Sequence, residues 1–204
     1  MVKIAVFVSG GGTNLQALID AQTRNELGCG KLTLCIASND KAYALTRAQN
    51  YGMKTVVVSQ KDDDRTRTYA QMLLETLDAH GIELIILAGF LTILPTAVIA
   101  KYRDRIINVH PSLIPSFCGA GFYGLKVHEA ALNYGVKVTG ATVHMVSEVV
   151  DGGRILLQQA VDVLADDTPE ILQKRVMQQA EWQLLPKAAA LLCDDIAREK
   201  ENKN

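Results

Sequence analysis

The first half of the chain alternates short apolar runs with segments of helical periodicity, and this alternation restricts the fold more than any other feature. The apolar runs have the length and residue types of buried strands. We predict strands at residues 2–8, 32–38, 55–58 and 83–88, and helices at residues 15–24, 42–51 and 68–79. Repeated strand–helix units of this length form a mostly parallel, twisted sheet with helices on both faces.

The second half of the chain predicts a different arrangement of strands. A fifth strand at residues 105–109 is followed by a long loop rich in glycine and proline at residues 111–125. After a helix at residues 126–134, residues 137–146 and 154–163 alternate like half-buried strands. We therefore expect an α/β fold whose C-terminal half contains mixed strands.

A last helix is predicted from Thr168-Pro169-Glu170. Threonine is a good N-cap, proline suits the first helical position, and an acidic residue is favoured at the positive end of the helix dipole. We expect this helix to kink or restart at Pro186. No repeat or linker divides the sequence, so we predict one domain over residues 1–204.

Composition excludes several classes of protein. The net charge of −1 and the apolar content of 49% argue for a soluble protein and against nucleic acid or an anionic membrane as the main partner. Residues 1–8 enter a strand pattern at once, so we expect no signal peptide. The apolar run at residues 82–100 is interrupted by Glu83, Gly89 and Pro95, which argues against a membrane span.

The four cysteines have neither close pairing nor metal-ligand spacing, which favours free thiols in a reducing cytoplasm. They are Cys29, Cys35, Cys118 and Cys193. Cys118 lies in the predicted 111–125 loop, and no neighbouring residue marks it as an activated thiolate.

The richest chemistry lies where the fifth strand ends. Because side chains alternate along a strand, Asn108 and His110 point to the same side, and Pro111 ends regular pairing directly after them. Ligands of open α/β sheets bind at the carboxyl ends of the strands. An amide donor beside an imidazole suits stabilisation of an oxyanion. The alternative is a strand-end asparagine that caps a turn and a solvated histidine.

The glycine-rich segment Gly10-Gly11-Gly12-Thr13-Asn14 lies between the first strand and the first helix. Such a loop lets the backbone and a helix N-terminus approach an anion. The dinucleotide fingerprint would need glycine in place of Leu15, and the lysine of a Walker loop is absent. A phosphate monoester on a small molecule is therefore the better ligand. The alternative is a tight turn that needs glycine for its geometry alone.

Asp151-Gly152-Gly153 follows the strand that bears His144. In isolation this acid suggests an Asx-turn. If the sheet brings it beside His110, Asp151 orients the imidazole and is expected to raise its pKa. The histidines lack the spacing of zinc ligands, so we predict no metal site, and we expect His80 and His128 to be exposed helix residues.

A fourth segment, residues 87–94, joins the fourth strand to the next helix at the same edge of the sheet. Its apolar side chains and exposed backbone could line a pocket for a flat heterocycle. A packed core turn explains the same pattern.

Taken together, these motifs resemble phosphoribosylglycinamide formyltransferases in order and spacing over essentially the whole chain. The matching segments are Ser9-Gly10-Gly11-Gly12-Thr13-Asn14-Leu15, Leu87-Ala88-Gly89-Phe90, Asn108-Val109-His110-Pro111-Ser112-Leu113-Ile114-Pro115, and His144 through Asp151-Gly152-Gly153. The resemblance implies a Rossmann-like formyltransferase fold. It also implies transfer of a formyl group from 10-formyltetrahydrofolate to the amine of glycinamide ribonucleotide in de novo purine biosynthesis, without a metal.

The resemblance also assigns roles to individual residues. It makes Asn108, His110 and Asp151 the catalytic residues. It places the ribonucleotide against Gly12, Thr13, Asn14, Gln178 and Glu181. It places the pterin against Leu91, Thr92, Ile93, Leu94 and Asn108, with Ser147, Glu148, Val149, Val150 and Asp151 on its other side. The phosphate-binding half then spans about residues 1–100 and the folate and catalytic half about residues 101–196.

The chain departs from the family pattern at a few positions. Thr92 stands where an arginine is often found, and Thr66, between Arg65 and Arg67, stands where another arginine can reach the folate. Residues 116–123 also differ from the commoner loop. These changes bear on affinity for the folate tail and not on the reaction.

Three other functions use related motifs. A formyltetrahydrofolate hydrolase has the same catalytic residues but usually an additional N-terminal domain, whereas Met1 leads directly into the first strand. A methionyl-tRNA formyltransferase needs a further basic C-terminal domain. A non-catalytic module that binds a phosphate ligand would not need all of Asn108, His110 and Asp151. We expect small-molecule substrates, no nucleic-acid or membrane partner, a monomer or homodimer, and a cytoplasmic location.

Overall fold

A computed structural model describes residues 1–63 and 67–202, which are organised around one seven-stranded sheet. The strands are β1 (Val2–Val8), β2 (Gly30–Ala37), β3 (Lys54–Val57), β4 (Leu84–Leu87), β5 (Ile106–His110), β6 (Val138–Met145) and β7 (Ile155–Asp162). Their order across the sheet is β3-β2-β1-β4-β5-β6-β7. The first five in this order are parallel to one another, β6 is antiparallel to β5, and β7 is antiparallel to β6. The predicted α/β class, with a mostly parallel sheet and mixed strands in the C-terminal half, is confirmed.

The helices cover both faces of this sheet. They are α1 (Thr13–Thr23), α2 (Ala44–Asn50), α3 (Tyr69–His80), α4 (Thr96–Lys101), α5 (Leu125–Tyr134), α6 (Pro169–Val176) and α7 (Trp182–Glu201). Along β1, Ile4 and Val6 pack into one core cluster with α1 and α7, while Ala5 and Phe7 pack into a second cluster with α3. Burial of both strand faces explains why the sequence of β1 is a continuous apolar run.

Two sequence expectations about helices were wrong. The last helix does not restart at Pro186, because α7 continues through it; the interruption lies earlier, at a π-helical turn over Met177–Glu181. A π turn rearranges the backbone hydrogen bonds just ahead of the proline, which lacks a donor itself. His128 is fully buried and not exposed, because it lies one turn before Ala131 on the inward face of α5.

The sheet brings three loops to one edge. Since β1, β4 and β5 are parallel neighbours, the segments that follow them, at residues 9–12, 88–95 and 111–124, leave the sheet on the same side. The segment after β6, at residues 146–154, reaches the end of β5 through Asp151. Within residues 1–63 and 67–202, no helix has both the length and the apolar character needed to cross a membrane.

Candidate active site

His110 is the last residue of β5 and is 4% exposed. Its Nε2 atom lies 2.9 Å from the carbonyl oxygen of Phe117, and its Nδ1 atom lies 3.5 Å from Oδ2 of Asp151. A carbonyl can only accept, so Nε2 carries the hydrogen of this bond. Both ring nitrogens therefore face oxygen acceptors, one from the loop after β5 and one from the loop after β6.

Asp151 joins these two loops through its carboxylate. Oδ2 accepts a hydrogen bond of 2.8 Å from the backbone N–H of Gly119, and Oδ1 lies 3.6 Å from Nε2 of His144. Burial opposes ionisation, but a hydrogen bond from His144 when Nε2 carries a hydrogen, the N–H of Gly119 and the charge of His110 hold the pKa of Asp151 below its usual range. The carboxylate contacts are thus distant in sequence, unlike those of an Asx-turn.

The pKa of His110 differs from the sequence expectation. Burial lowers it, and this effect outweighs the Phe117 carbonyl and the carboxylate of Asp151, both of which favour the cation. Asp151 acts in the expected direction, but the net shift is downward because the ring is almost completely removed from water.

His144 is a site residue that the sequence interpretation did not assign. Its Nδ1 atom lies 2.9 Å from the carbonyl oxygen of Met145, which places the ring hydrogen on that nitrogen in the neutral form. Nε2 can then accept from Nδ2 of Asn108, 3.1 Å away. This contact fixes the orientation of the amide and leaves its second hydrogen free for a ligand. The register of β6 against β5 would have identified His144, because it pairs with Asn108 across these two strands.

The glycine-rich loop enters α1 through Gly12, whose φ of 73° lies in the left-handed region. A Cβ atom at Gly12 would lie 2.6 Å from Cβ of Ala44, whereas one at Gly10 would have nothing within 4 Å. Glycine is therefore required at Gly12 for both conformation and space. No side chain caps the first turn of α1, so its backbone N–H groups are available to an anion.

Asn14 and Glu181 meet although they are 167 residues apart. Nδ2 of Asn14 donates a hydrogen bond of 2.6 Å to Oε2 of Glu181, and Oδ1 of Asn14 is buried with no partner among the described residues. Glu181 ends the π turn, is 6% exposed, and burial raises its pKa to about 7. The pair thus presents an unused acceptor and a carboxyl that titrates near neutral pH.

One cavity of about 800 Å³ connects these groups. The sequence-predicted residues that line it are Asn14, Leu91, Thr92, Ile93, Leu94, Asn108, His110, Ser147, Glu148, Val149, Val150, Asp151 and Glu181. Leu91, Ile93 and Val149 are exposed apolar side chains at its walls, which suits a flat heterocycle.

Other predicted residues lie elsewhere. Thr13 borders a smaller cavity of about 310 Å³, Gly12 lines neither cavity, and Gln178 is exposed. From the same helical region, Gln173 and Met177 line the large cavity instead. Thr66 and Arg65 lie outside the described residues.

No group of histidine, cysteine, aspartate and glutamate side chains within residues 1–63 and 67–202 could hold a metal ion. The large cavity is lined by the imidazoles of His110, His128 and His144 and by the carboxyl groups of Glu148, Asp151 and Glu181.

Comparisons with known proteins give a consistent result. Residues 2–189 match a family model described as formyl transferase. The chain is 36% identical over 193 residues to the chloroplastic phosphoribosylglycinamide formyltransferase of Vigna unguiculata, covering 95% of this chain and 61% of that protein. It is 37% identical over 200 residues to the Homo sapiens trifunctional purine biosynthetic protein adenosine-3, covering 98% of this chain and 19% of that protein.

Solved structures agree with the sequence comparisons. Glycinamide ribonucleotide transformylase 1 from Symbiobacterium toebii superposes with a TM-score of 0.87 at 37% identity, covering 96% of this chain and 89% of that chain. Phosphoribosylglycinamide formyltransferase from Brucella melitensis gives a TM-score of 0.85 at 37% identity, covering 94% and 95% of the two chains.

Proposed function

Because the chain belongs to the formyl transferase family, we propose that it transfers a formyl group from 10-formyltetrahydrofolate to the amine of glycinamide ribonucleotide in de novo purine biosynthesis. The observation that carries the proposal is the shared cavity. Its lining includes Asn108, His110 and Asp151, the hydrogen-bonded pair Asn14 and Glu181, and apolar side chains. Relatives and solved structures named for this reaction support it.

In this proposal the ribonucleotide phosphate binds at the N-terminus of α1, against the backbone of Gly12 and Thr13. Asn14 and Glu181 bind polar groups of the same substrate, and the unused Oδ1 of Asn14 suits a hydroxyl or amine donor. The resemblance to the family favours Gln178 as a further contact, but its side chain is exposed, and Gln173, which lines the cavity, takes that place in this proposal. The phosphate-binding half is about residues 1–100, and the folate and catalytic half is about residues 101–196.

The folate binds between two walls of the cavity. One wall is Leu91, Thr92, Ile93 and Leu94, and the other is Ser147, Glu148, Val149 and Val150. Asn108 and Asp151 meet the folate where the formyl group is carried. 10-Formyltetrahydrofolate acts as a co-substrate, and no metal takes part.

The reaction needs three events that these side chains can assist. The substrate amine attacks the formyl carbon, and the free hydrogen of the Asn108 amide stabilises the oxyanion. His110 in its charged form stabilises the same oxygen, and Asp151, 3.5 Å away, offsets part of the effect of burial on that charge. As the bond to the folate nitrogen breaks, Asp151 and water pass the proton from the amine to that leaving nitrogen. Atoms balance without a covalent enzyme intermediate.

We also propose that the protein is a monomer or homodimer in the cytoplasm. Its partners are small molecules, and neither nucleic acid nor a membrane is among them. The net charge of −1 and four free cysteines support this part of the proposal.

A turnover assay tests the proposal. The purified protein is incubated with 10-formyltetrahydrofolate, with and without glycinamide ribonucleotide, and both folate products and formylated ribonucleotide are measured. We expect loss of the formyl group only when the ribonucleotide is present. Equal loss without the ribonucleotide would indicate a hydrolase, and ribonucleotide binding without turnover would indicate a binding module.

A further inference from the structure

Arg47 of α2 contacts the glycine-rich loop after β1, although the proposed reaction assigns it no role. Its Nε atom donates a hydrogen bond of 2.9 Å to the carbonyl oxygen of Gly11, and its Nη1 atom donates one of 3.0 Å to Oε1 of Gln16. The guanidinium also lies over the ring of Tyr43, with Cζ 5.2 Å from the ring centroid. The side chain is therefore fixed on both sides of its bond to the loop.

The loop is held to α2 by two consecutive carbonyl groups. The N–H of Ala44 donates a hydrogen bond of 3.1 Å to the carbonyl oxygen of Gly10, and Arg47 holds the next carbonyl, that of Gly11. The peptide bonds that follow these carbonyls are trans. In a trans peptide the C=O of one residue and the N–H of the next point in opposite directions. The N–H groups of Gly11 and Gly12 are therefore directed away from α2.

These two N–H groups are available to a ligand. Neither has a hydrogen-bond partner within residues 1–63 and 67–202, and Gly11 is exposed. They directly precede the first turn of α1, which no side chain caps. Successive N–H groups beside a helix N-terminus bind anions. Their orientation therefore decides how well the loop can bind a phosphate.

A loop of three glycines does not maintain that orientation by itself. Glycine has access to more backbone conformations than any other residue, so binding an anion with a free glycine loop costs conformational entropy. A contact that holds the loop before the ligand arrives reduces this cost. The Ala44 contact comes from the backbone, whereas the Gly11 contact depends on the identity of residue 47.

We propose that Arg47 is a positioning residue for the ribonucleotide phosphate. Its bond to Gly11 holds the peptide between Gly11 and Gly12 in the orientation in which the loop N–H groups meet the phosphate. This inference rests on the proposed function, since it requires the phosphate to bind at the N-terminus of α1. Arg47 acts on the loop and not on the reacting atoms, so its loss should weaken binding of the ribonucleotide and leave the chemical step unchanged.

The test begins with Arg47→Met, which keeps a long side chain but removes both donors. Calorimetry measures binding of glycinamide ribonucleotide, of the ribonucleoside that lacks the phosphate, and of tetrahydrofolate. We expect Kd and KM for the ribonucleotide to rise by roughly tenfold, as for the loss of one hydrogen bond from a charged group. Binding of the ribonucleoside and of tetrahydrofolate, and kcat at saturating ribonucleotide, should remain at the wild-type values.

Two further variants separate orientation from charge. Arg24 lines the same small cavity as Arg47, but its side chain bonds to Glu26 and not to the loop. Arg24→Met should therefore leave ribonucleotide binding unchanged. Arg47→Lys keeps the positive charge but loses the planar, forked set of donors, so it should recover only part of the affinity. It also provides the comparison with the wild-type protein if thermal unfolding shows that Arg47→Met is not folded.

Three results would overturn the inference alone. The first is wild-type affinity of Arg47→Met for the ribonucleotide. The second is an equal loss of ribonucleotide and ribonucleoside binding, which would indicate a general disturbance of the fold. The third is full recovery in Arg47→Lys or an equal loss in Arg24→Met, which would indicate charge alone. Failure of the wild-type protein to bind the ribonucleotide would overturn the proposed function as well, and this measurement is made before any variant is used.

Discussion

Asn108 and His144 lie opposite each other on the antiparallel strands β5 and β6, with Nδ2 of Asn108 3.1 Å from Nε2 of His144. The backbone carbonyl of Met145 fixes the other ring nitrogen of His144 as a donor. The amide of Asn108 is therefore oriented before a substrate binds, which is the arrangement that an oxyanion donor requires.

The first prediction concerns Asn108→Ala. The variant loses the amide hydrogen that faces the cavity, so kcat for formyl transfer should fall by ~10²–10³, the usual loss for one oxyanion donor. Steady-state kinetics measure it, and Asn50→Ala, at an exposed position at the end of α2, serves as the control. A kcat equal to that of the wild-type protein would rule out the assignment of Asn108.

The second prediction concerns the charge on Asp151. Asp151→Asn keeps the shape of the side chain but removes the carboxylate near His110, so burial should then lower the pKa of His110 further. If catalysis uses the imidazolium, kcat should fall and its decline with rising pH should begin at lower pH. NMR titration of His110 and pH profiles of kcat measure both effects, with the exposed Asp166→Asn as the control. An unchanged pKa of His110 would show that Asp151 is not its electrostatic partner.

The third prediction separates Gly12 from Gly10. Gly12→Ala puts a Cβ atom 2.6 Å from that of Ala44 at a positive φ, so the entry to α1 must shift. We expect KM for the ribonucleotide to rise while folate binding is largely retained. Gly10→Ala, whose Cβ atom meets nothing within 4 Å, should change KM much less. Loss of folate affinity with unchanged ribonucleotide affinity would show that the two binding sites have been assigned the wrong way round.

The sequence could predict the site residues whose positions depend only on a single strand. Asn108 and His110 share a strand face because of simple alternation, and Pro111 marks the end of β5. Apart from the last helix, the predicted strand and helix bounds agree with the structure within two residues, because apolar periodicity is a local property.

Residues whose positions depend on tertiary structure could not be predicted in the same way. His128 is buried on α5, which packs against α6, and the role of His144 depends on the register between β5 and β6. The π turn at Met177–Glu181 changes the helical phase. The side chains that face the cavity therefore cannot be predicted from the spacing of a regular α-helix.

The fourth prediction follows from this change of phase. Gln173 lines the cavity and Gln178 is exposed, although the resemblance to the family favours Gln178 as a ribonucleotide contact. Gln173→Ala should raise KM for the ribonucleotide severalfold, about the value of one hydrogen bond, and Gln178→Ala should not. The two variants are matched in chemistry and differ in position. The reverse result would mean that the helix adopts another register when the ribonucleotide binds.

The last prediction concerns the dependence of stability on pH, to which Glu181 and His128 contribute with opposite signs. Burial raises the pKa of Glu181 from 4.5 to about 7, so the folded protein binds the proton more tightly than the unfolded chain. The stability contributed by Glu181 is present below pH 4.5 and is lost as the pH rises to about 7. Burial lowers the pKa of His128 from 6.5 to about 4, so its contribution is lost as the pH falls through that window.

Because the two contributions overlap and oppose each other, the wild-type curve alone does not reveal either one. Glu181→Gln removes the carboxyl titration, so its free energy of unfolding relative to the wild-type protein should rise with pH, by up to about 3 kcal/mol between pH 4.5 and 7. His128→Phe should instead gain relative stability as the pH falls below 6.5. Urea unfolding at a series of pH values measures both differences, and Glu129→Gln, an exposed substitution on α5, should give a flat difference. A flat difference for Glu181→Gln would mean that Glu181 remains ionised in the folded protein, and its carboxylate would then need a cationic partner that the Asn14 amide does not provide.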